Sequence, residues 1–537
     1  MKAMTSLFQR RGRRDAEIAE KCTVQSKIVE SVFSASSAPL RQKRFLVVLV
    51  SMMIGGAFAA DAPKVQTEPV KGTPVAADFE AGKKLYRRWC SQCHGDAGKG
   101  DGPAAEFVYP RPRNFTTAIF KVRTTLSGQL PTDHDLFDVI SKGLPGTAMP
   151  AWEKYLPEND RWQLVHYVKT FDELGLFKEE PAKEQMVVDA PPKITPELIA
   201  KGKDLYQKKK CWQCHGQQGR GDGPSAAGMK DEWGFPIRPV NFTKSWRFRG
   251  GDRLEDIYRT FTTGFNGTPM PSFVDAIPAA EDRWALAAFV KSLARLQKSG
   301  QVLKAGFIGG EIPTDPYAKA WEEAEPFDFP LAGQIIQEPR WFKPMHDVIT
   351  VRALYNDREI AILLEWDDGT NNKGEGGKPP DQVGLQLPAG AAQDGGKPYF
   401  LLGDARHAVD LWRWNPAQGL SRATANGAAK EKPAEAGGVL AQGSYKDGQY
   451  RVILRRPLGK VSPGDTAIVP GEFMPIAFQL WDGDNGEEGM KMSLSTWYYL
   501  LPQPATPLTA YLWPSGLGFL ALGGEVWLLR RMRRKDK

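Results

Sequence analysis

The sequence predicts a multidomain chain: two small all-α domains, then an all-β sandwich domain, then a C-terminal transmembrane helix. Three observations predict it. The phrase C-S-Q-C-H-G-D-A-G-K-G-D-G-P-A from Cys90 recurs as C-W-Q-C-H-G-Q-Q-G-R-G-D-G-P-S from Cys211, each inside a stretch of helical periodicity. From about residue 315 that periodicity gives way to extended, aromatic-rich segments. Finally, an apolar run over 508–529 is followed at once by R-R-M-R-R-K-D-K.

At 537 residues the chain exceeds one ordinary core, given roughly 100–200 residues per domain. Its net charge of +8 raises the question of a nucleic-acid partner. Residues 1–59 carry +6 and residues 530–537 carry +5, which leaves −3 between them. The basicity therefore sits at the two ends, where it reads as membrane topology and not as a polyanion site, so no nucleic-acid partner is expected. After Arg41, Lys43 and Arg44 comes F-L-V-V-L-V-S-M-M-I-G-G-A-F-A-A. A basic flank, a short apolar run and a small-residue close predict a signal peptide over 1–59, with an extended n-region and cleavage near Ala59; a retained signal anchor is the alternative. Of five cysteines, Cys22 falls in that segment, and no cysteine outside the repeated phrases remains for a disulfide.

C-x-x-C-H is the attachment sequence of c-type haem. Two thiols three positions apart bond the two vinyl groups of one porphyrin, and the adjacent imidazole then faces the iron. This predicts two covalent c haems, held by Cys90 and Cys93 with His94 and by Cys211 and Cys214 with His215. A redox dithiol or half a zinc site is the competing reading, which the immediate histidine, present twice, argues against. Each copy also supplies a sixth ligand: Met149 in G-T-A-M-P-A-W and Met270 in G-T-P-M-P-S-F, both 55 residues after their histidine. An isolated Met usually fills a core gap, but a matched pair at one offset points to His/Met ligation. Such iron is coordinatively closed and has a raised potential, so it transfers electrons.

The repeat runs further. A-G-K-K-L-Y and K-G-K-D-L-Y precede the haem motifs, R-P-R-N-F-T and R-P-V-N-F-T lie between His and Met, and D-R-W-Q-L-V-H-Y-V-K and D-R-W-A-L-A-A-F-V-K follow. Both copies thus resemble class I cytochromes c, over 78–175 and 196–298, with a Pro-punctuated linker at 176–195. The resemblance implies that a Pro carbonyl after the haem motif, from Pro103 or Pro224, orients the ligating imidazole. His166 aligns with Ala288 and His134 has no counterpart, so both read as packing residues; Asp101 and Asp222 read as turn formers.

In the remaining half, V-I-T-V-R-A-L-Y and E-I-A-I-L-L-E-W flank the hairpin signal N-D-R, and Y-R-V-I-L-R-R and P-I-A-F-Q-L-W read as further strands. G-T-N-N-K-G-E-G-G-K-P-P and A-T-A-N-G-A-A-K-E-K-P-A-E-A-G-G read as loops of a sandwich spanning 315–504. The segments A-L-Y-N-D-R-E-I-A-I-L-L-E-W-D-D-G-T, P-Y-F-L-L-G-D, L-W-R-W and W-D-G-D-N-G-E-E-G-M-K-M-S-L-S-T-W-Y-Y-L resemble the haem-b-binding gamma subunit of ethylbenzene dehydrogenase and related molybdenum oxidoreductases. That resemblance implies a third, non-covalent haem b between a Lys, matched by Lys491, and a Met. This chain has Leu401 and Leu402 where the Met is expected, which leaves His407 or Met474 as substitute ligand. His346 stands in no recognisable constellation.

The run 508–529 suits one bilayer crossing, with 530–537 as a basic cytoplasmic tail; a buried or interfacial helix is the alternative. Together these readings give a multihaem cytochrome on the periplasmic side of the cytoplasmic membrane, with a single C-terminal anchor. It would pass electrons between a partner, by resemblance a molybdenum/iron–sulfur oxidoreductase complex, and the respiratory chain. It is then an electron-transfer subunit without catalytic residues of its own. The rivals are a dihaem enzyme such as a peroxidase, or a dihaem carrier whose β domain is a cofactor-free binding module.

Overall fold

The computed structural model describes residues 65–390, 396–428, 430–460, 465–504 and 517–528. The segment read as a signal peptide and the 530–537 tail lie outside the described residues. The first helical domain contains α1 (Phe79–Trp89), α2 (Ser91–His94), α3 (Asp133–Lys142) and α4 (Glu158–Lys169), with the short α5 (Leu176–Glu179) after it. The second contains α6 (Pro196–Lys208), α7 (Trp212–His215), α8 (Leu254–Thr263) and α9 (Ala280–Leu293).

Local signals start these helices. The Asp78 carboxylate caps α1 by accepting from Ala81 N, and Thr195 caps α6 ahead of Pro196. Thr132 and Asp135 form a reciprocal capping box at α3. The first and last helices of each copy cross at a glycine. A Cβ on Gly82 would lie 2.5 Å from the Gln163 carbonyl, and one on Gly202 would collide with the Ala285 carbonyl. These crossings bring Tyr86 against Tyr167 and Phe171, and Tyr206 against Phe289, inside two separate cores.

The linker is not bare chain: its strand β2 (Glu184–Met186) pairs antiparallel with β1 (Thr67–Pro69), which precedes the first domain. The β domain then runs β3 (Val302–Phe307), β4 (Phe327–Pro330), β5 (Ala332–Gly333), β6 (Val348–Tyr355), β7 (Glu359–Asp367), β8 (Gln382–Pro388) and β9 (Val409–Asn415). It continues through β10 (Gly419–Ala425), β11 (Glu431–Ala434), β12 (Leu440–Lys446), β13 (Gln449–Pro457), β14 (Met474–Trp481), β15 (Ser493–Leu494) and β16 (Tyr498–Pro502), with α10 (Lys319–Glu323) between β3 and β4.

These strands make one 14-stranded ladder whose main path is β11-β10-β9-β8-β14-β16-β3-β6-β7-β13-β12. The ladder folds over on itself. Trp412 and Trp414 of β9 share a core with Trp366 of β7 and Tyr450 of β13, and Gly443 of β12 lacks a Cβ where the Trp414 ring lies. The sandwich is therefore two layers of a continuous sheet. It begins at Val302, ahead of 315, because β3 inserts parallel between β16 and β6. The Lys- and Glu-bearing segment expected to be a loop supplies the edge strand β11, a place where charge blocks further pairing.

The helix over 517–528 covers only part of the predicted span 508–529, whose other residues lie outside those described. No helix among the described residues is long and apolar enough to cross a membrane.

The three parts dock through buried charge. Arg123 of the first domain donates to the Thr263 and Gly264 carbonyls of the second at 2.6 and 3.2 Å. Asp367, at the end of β7, accepts from Arg220 (3.1 Å), Lys244 (2.9 Å) and Asn241 (2.8 Å) of the second domain and from Gln449 (3.0 Å) of its own. Arg295 grips Asp328 with two 2.7 Å bonds.

Candidate functional site

The two C-x-x-C-H motifs sit on the one-turn helices α2 and α7 directly after the first helix of each copy, and their surroundings repeat atom by atom. Tyr86 Oη donates to Gly95 O at 2.7 Å, and Tyr206 Oη to Gly216 O at 2.6 Å. The His94 and His215 carbonyls accept from Gly100 and Gly221, both at 2.9 Å. The R-P-x-N-F-T segments fold back so that Phe115 N reaches Gly98 O (2.7 Å) and Phe242 N reaches Gly219 O (2.6 Å). This return lays Phe115 flat on His94 and Phe242 flat on His215, with ring centroids 4.5 and 4.3 Å apart.

The fold-back also fixes the imidazoles. His94 Nδ1 lies 3.0 Å from the Arg113 carbonyl, and His215 Nδ1 lies 3.2 Å from the Val240 carbonyl. A carbonyl only accepts, so Nδ1 carries the proton and Nε2 keeps its lone pair. Burial lowers both histidines, His215 to about 4, which holds them in the neutral form that binds a metal. The prolines do not have the expected role: the bonded carbonyls belong to the third residue of R-P-x-N-F-T and not to Pro103 or Pro224. The turn after the haem motif runs on past Pro103 and Pro224, and the returning strand presents its own carbonyl to the ring.

Met149 and Met270 occupy matching loops after α3 and α8. Gly143 and Gly264 end those helices at φ +67 and +69, values that suit glycine. Leu144 N donates to Met149 O, and Phe265 N to Met270 O, both at 3.1 Å. Each Met amide donates to the hydroxyl two residues back, Thr147 at 3.1 Å and Thr268 at 3.2 Å. Arg123 buttresses the second of these loops from the other domain, because its two acceptors there are the last residue of α8 and the glycine after it, while its Nε donates to Leu126 O within its own domain. Nothing in the local sequence of Arg123 announces that reach.

The four thiols Cys90, Cys93, Cys211 and Cys214 are free and half-buried, and burial pushes Cys90 to about 12 and Cys211 to about 11. Two thiols and an imidazole per site are the donor set for a c haem. A further observation fits its anionic edge: Arg113 Nη1 and Trp152 Nε1 are buried without a hydrogen-bond partner, on the segments that carry the histidine-anchoring carbonyl and Met149. Arg111, Arg113 and Lys121 line a cavity of about 290 Å³ together with Asp231, Trp233 and Phe235 of the second domain. Burial, then the neighbouring Arg113 and Arg249, lower Lys121 to about 7. Such donors suit porphyrin carboxylates.

The third-haem residues are less complete. Lys491 Nζ lies over the Trp341 ring, 5.6 Å from its centroid. Leu401 and Leu402 are buried with Trp481 and Met492 and offer no donor atom. His407 Nδ1 lies 3.3 Å from Asp404. Met474 belongs to the main sandwich core, not to the cluster around Leu401, which removes it as a substitute ligand. His166 bonds the Val75 carbonyl at 3.0 Å, and His134 meets Trp162 edge to face.

His346 is the residue that sequence reading passes over. It meets Asp368 and Asp482 inside the β domain, residues far apart in sequence that the quoted segments hold separately.

Comparison with known proteins finds three family matches along the chain. Residues 77–168 match the family described as cytochrome c oxidase, cbb3-type, subunit III; residues 199–294 match cytochrome c; residues 318–438 match ethylbenzene dehydrogenase. A Haloferax mediterranei protein provisionally assigned as a respiratory nitrate reductase heme subunit is 22% identical over 211 residues, 38% of this chain and 75% of that protein. Cytochrome c55X of Paracoccus denitrificans is 35% identical over 105 residues, 19% of this chain and 82% of the relative. The chlorate reductase gamma subunit of Ideonella dechloratans is 28% identical over 156 residues, 28% of this chain and 64% of that subunit. A chain of the Kuenenia stuttgartiensis reducing HAO-like protein complex is 43% identical and covered completely, against 42% of this chain, at a TM-score of 0.39. The chain thus belongs to the c-type cytochromes, with two such haem c domains in tandem followed by a domain of the ethylbenzene dehydrogenase gamma type.

Proposed function

We propose that this cytochrome relays electrons between a molybdenum oxidoreductase complex on the periplasmic side of the cytoplasmic membrane and the respiratory chain. The observation that carries the reading is the duplicated ligand geometry: an imidazole anchored through Nδ1 to a matched carbonyl, and a methionine on a matched hydroxyl-braced loop. Bound haem supplies a one-electron iron couple. The chain's residues do the rest. Cys90, Cys93, Cys211 and Cys214 would attach the two porphyrins, and His94 with Met149 and His215 with Met270 would hold the two irons. Phe115 and Phe242 keep the imidazole planes fixed, and Arg123 ties the two domains together. The β domain is the docking module for the partner. For a third haem Lys491 offers one donor and Leu401 and Leu402 none, so no electron step is routed through it. A helix over 517–528 whose apolar side chains are all exposed, Phe519 at 76% and Leu520 at 74%, supports a membrane anchor.

The test is purification of the full chain from native membranes in mild detergent, with molybdenum and haem quantified together. The reading expects molybdenum to co-purify in stoichiometric amount, and the reduced haems to reoxidise on addition of nitrate or chlorate. The separated chain should show two covalent, carbon monoxide-inert haems. Absence of molybdenum, together with hydrogen peroxide turnover by the separated chain, would replace the relay with a peroxidase.

A further inference from the structure

Three strand ends of the β domain converge on one buried point. His346 lies just before β6, Asp368 directly follows β7, and Asp482 directly follows β14. Their candidate ligand atoms all lie within 4.8 Å of one another. His346 Nε2 is 3.4 Å from Asp368 Oδ2 and 3.7 Å from Asp482 Oδ2, and the side chains are only 7, 2 and 3% exposed. His346 Nε2 and Asp368 Oδ2, both buried, make no hydrogen bond. A buried imidazole nitrogen and a buried carboxylate oxygen that face each other across a long 3.4 Å ion-pair contact, with no hydrogen bond to either, are each costly. We propose that His346, Asp368 and Asp482 bind one divalent cation of the zinc class, which pins three strand ends of the β domain.

The hydrogen-bond inventory separates ligands from supports. Asp368 Oδ1 accepts from Thr370, and Asp482 Oδ1 accepts from Asn485 N at 3.0 Å, so each carboxylate is oriented by one oxygen and turns the other inward. The two neighbouring acids are used up elsewhere. Glu487 accepts from Trp341 Nε1 (3.0 Å), Met345 N (2.8 Å), Asn485 Nδ2 (2.7 Å) and Asp482 N (3.1 Å). Asp381 accepts from Gly483 N (2.8 Å), Asn372 N (2.7 Å) and Tyr450 Oη (2.9 Å). These two are the outer supports that orient a metal ligand set.

The spacing fits the ion. A tetrahedral cation with bonds of roughly 2.0–2.2 Å holds its ligand atoms about 3.3–3.5 Å apart, close to the His346–Asp368 separation. An imidazole in the set favours a zinc-class ion over calcium or magnesium, which take oxygen. Four carboxylates share this interior with one imidazole, and among the described residues the ion pairs recorded at Asp368 and Asp482 are with His346 alone. A dication offsets the charge of the two carboxylates that face it, Asp368 and Asp482. With three protein ligands, a water molecule completes the fourth position. The site is independent of both haem motifs and of the relay proposed for them.

The experiment is elemental analysis of the full-length, haem-loaded protein before and after dipicolinate dialysis, then after return of Zn²⁺ alone. About one equivalent of zinc per chain beyond the haem iron is expected, removable and restorable. His346→Ala and Asp368→Asn should weaken Zn²⁺ binding at least about 100-fold, and Glu487→Gln by about 10- to 100-fold, with covalent haem content unchanged in all three. Wild-type protein that retains less than a tenth of an equivalent after exposure to Zn²⁺, or substitutions that leave binding intact, would overturn the site. Should the variants fail to fold, zinc-edge X-ray absorption of the wild type decides: one imidazole with oxygen neighbours supports the assignment, and a shell without imidazole refutes it.

Discussion

Replacing Asp367 with Asn should separate the second cytochrome domain from the sandwich. Burial pushes this carboxyl upward, yet Lys244 and Arg220, together with the hydrogen bonds from Lys244 and Asn241, outweigh burial and bring it from 3.8 to about 2. A depression of that size corresponds to about 2–3 kcal/mol of stability carried by the charged form. Because the folded value is the lower one, that stability is complete above about pH 5 and drains away as the pH falls toward 2. The amide would also leave Arg220 and Lys244, 19 and 11% exposed, without their counter-charge. Breaking a buried pair from one side costs about 3–5 kcal/mol. The assay is urea unfolding followed in parallel by the haem absorbance and by tryptophan fluorescence. The variant should lose about 3–5 kcal/mol from its first transition at pH 7, and its stability should fall less steeply than that of the wild type between pH 5 and pH 2. A variant within about 0.5 kcal/mol of the wild type at pH 7, with an unchanged acid profile, would refute Asp367 as the tie.

Three further outcomes follow from the same geometry. Met270→Ala should open one iron per chain, so that carbon monoxide binds half of the reduced haem and one reduction potential falls; Met149→Ala should do the same for the other. Arg123→Ala removes two charge-assisted bonds of about 1.5–3 kcal/mol each. It should weaken the sulfur-to-iron charge-transfer band of the second haem while leaving the first intact, as read on variants that retain a single haem motif. Gly202→Ala drives a methyl into the Ala285 carbonyl and to 2.7 Å from Phe289 Cβ, so calorimetry should show the second domain destabilised by about 3 kcal/mol or more.

How much of this was legible in the sequence varied with the distance over which each feature acts. The haem motifs and the equal His-to-Met spacing can be read directly from the chain, and the structure puts each pair in matching surroundings. The strands β6 and β7 were equally plain, because alternating apolar residues flank Asn356, whose side chain accepts from both Arg358 N and Glu359 N. Features that arise when distant segments meet were invisible. Arg123 looks like any basic residue until its partners about 140 positions later are in place. His346 gains meaning only beside Asp368 and Asp482. The carbonyls that orient His94 and His215 were missed because the path of a returning loop, and not residue identity, decides which oxygen faces the ring. The strand β11 was read as loop because its charged composition suits an edge, which resembles a turn when only propensity is weighed.

Asn241 hands its amide to Asp367, and the residue just before it, Val240, holds His215 through its carbonyl. The outer end of β7 and the His215 ring are thus joined through two adjacent residues. A partner docked on the sandwich, as proposed above, would have a lever on that ring's hydrogen bond, and the midpoint of the second haem would then depend on the assembled complex.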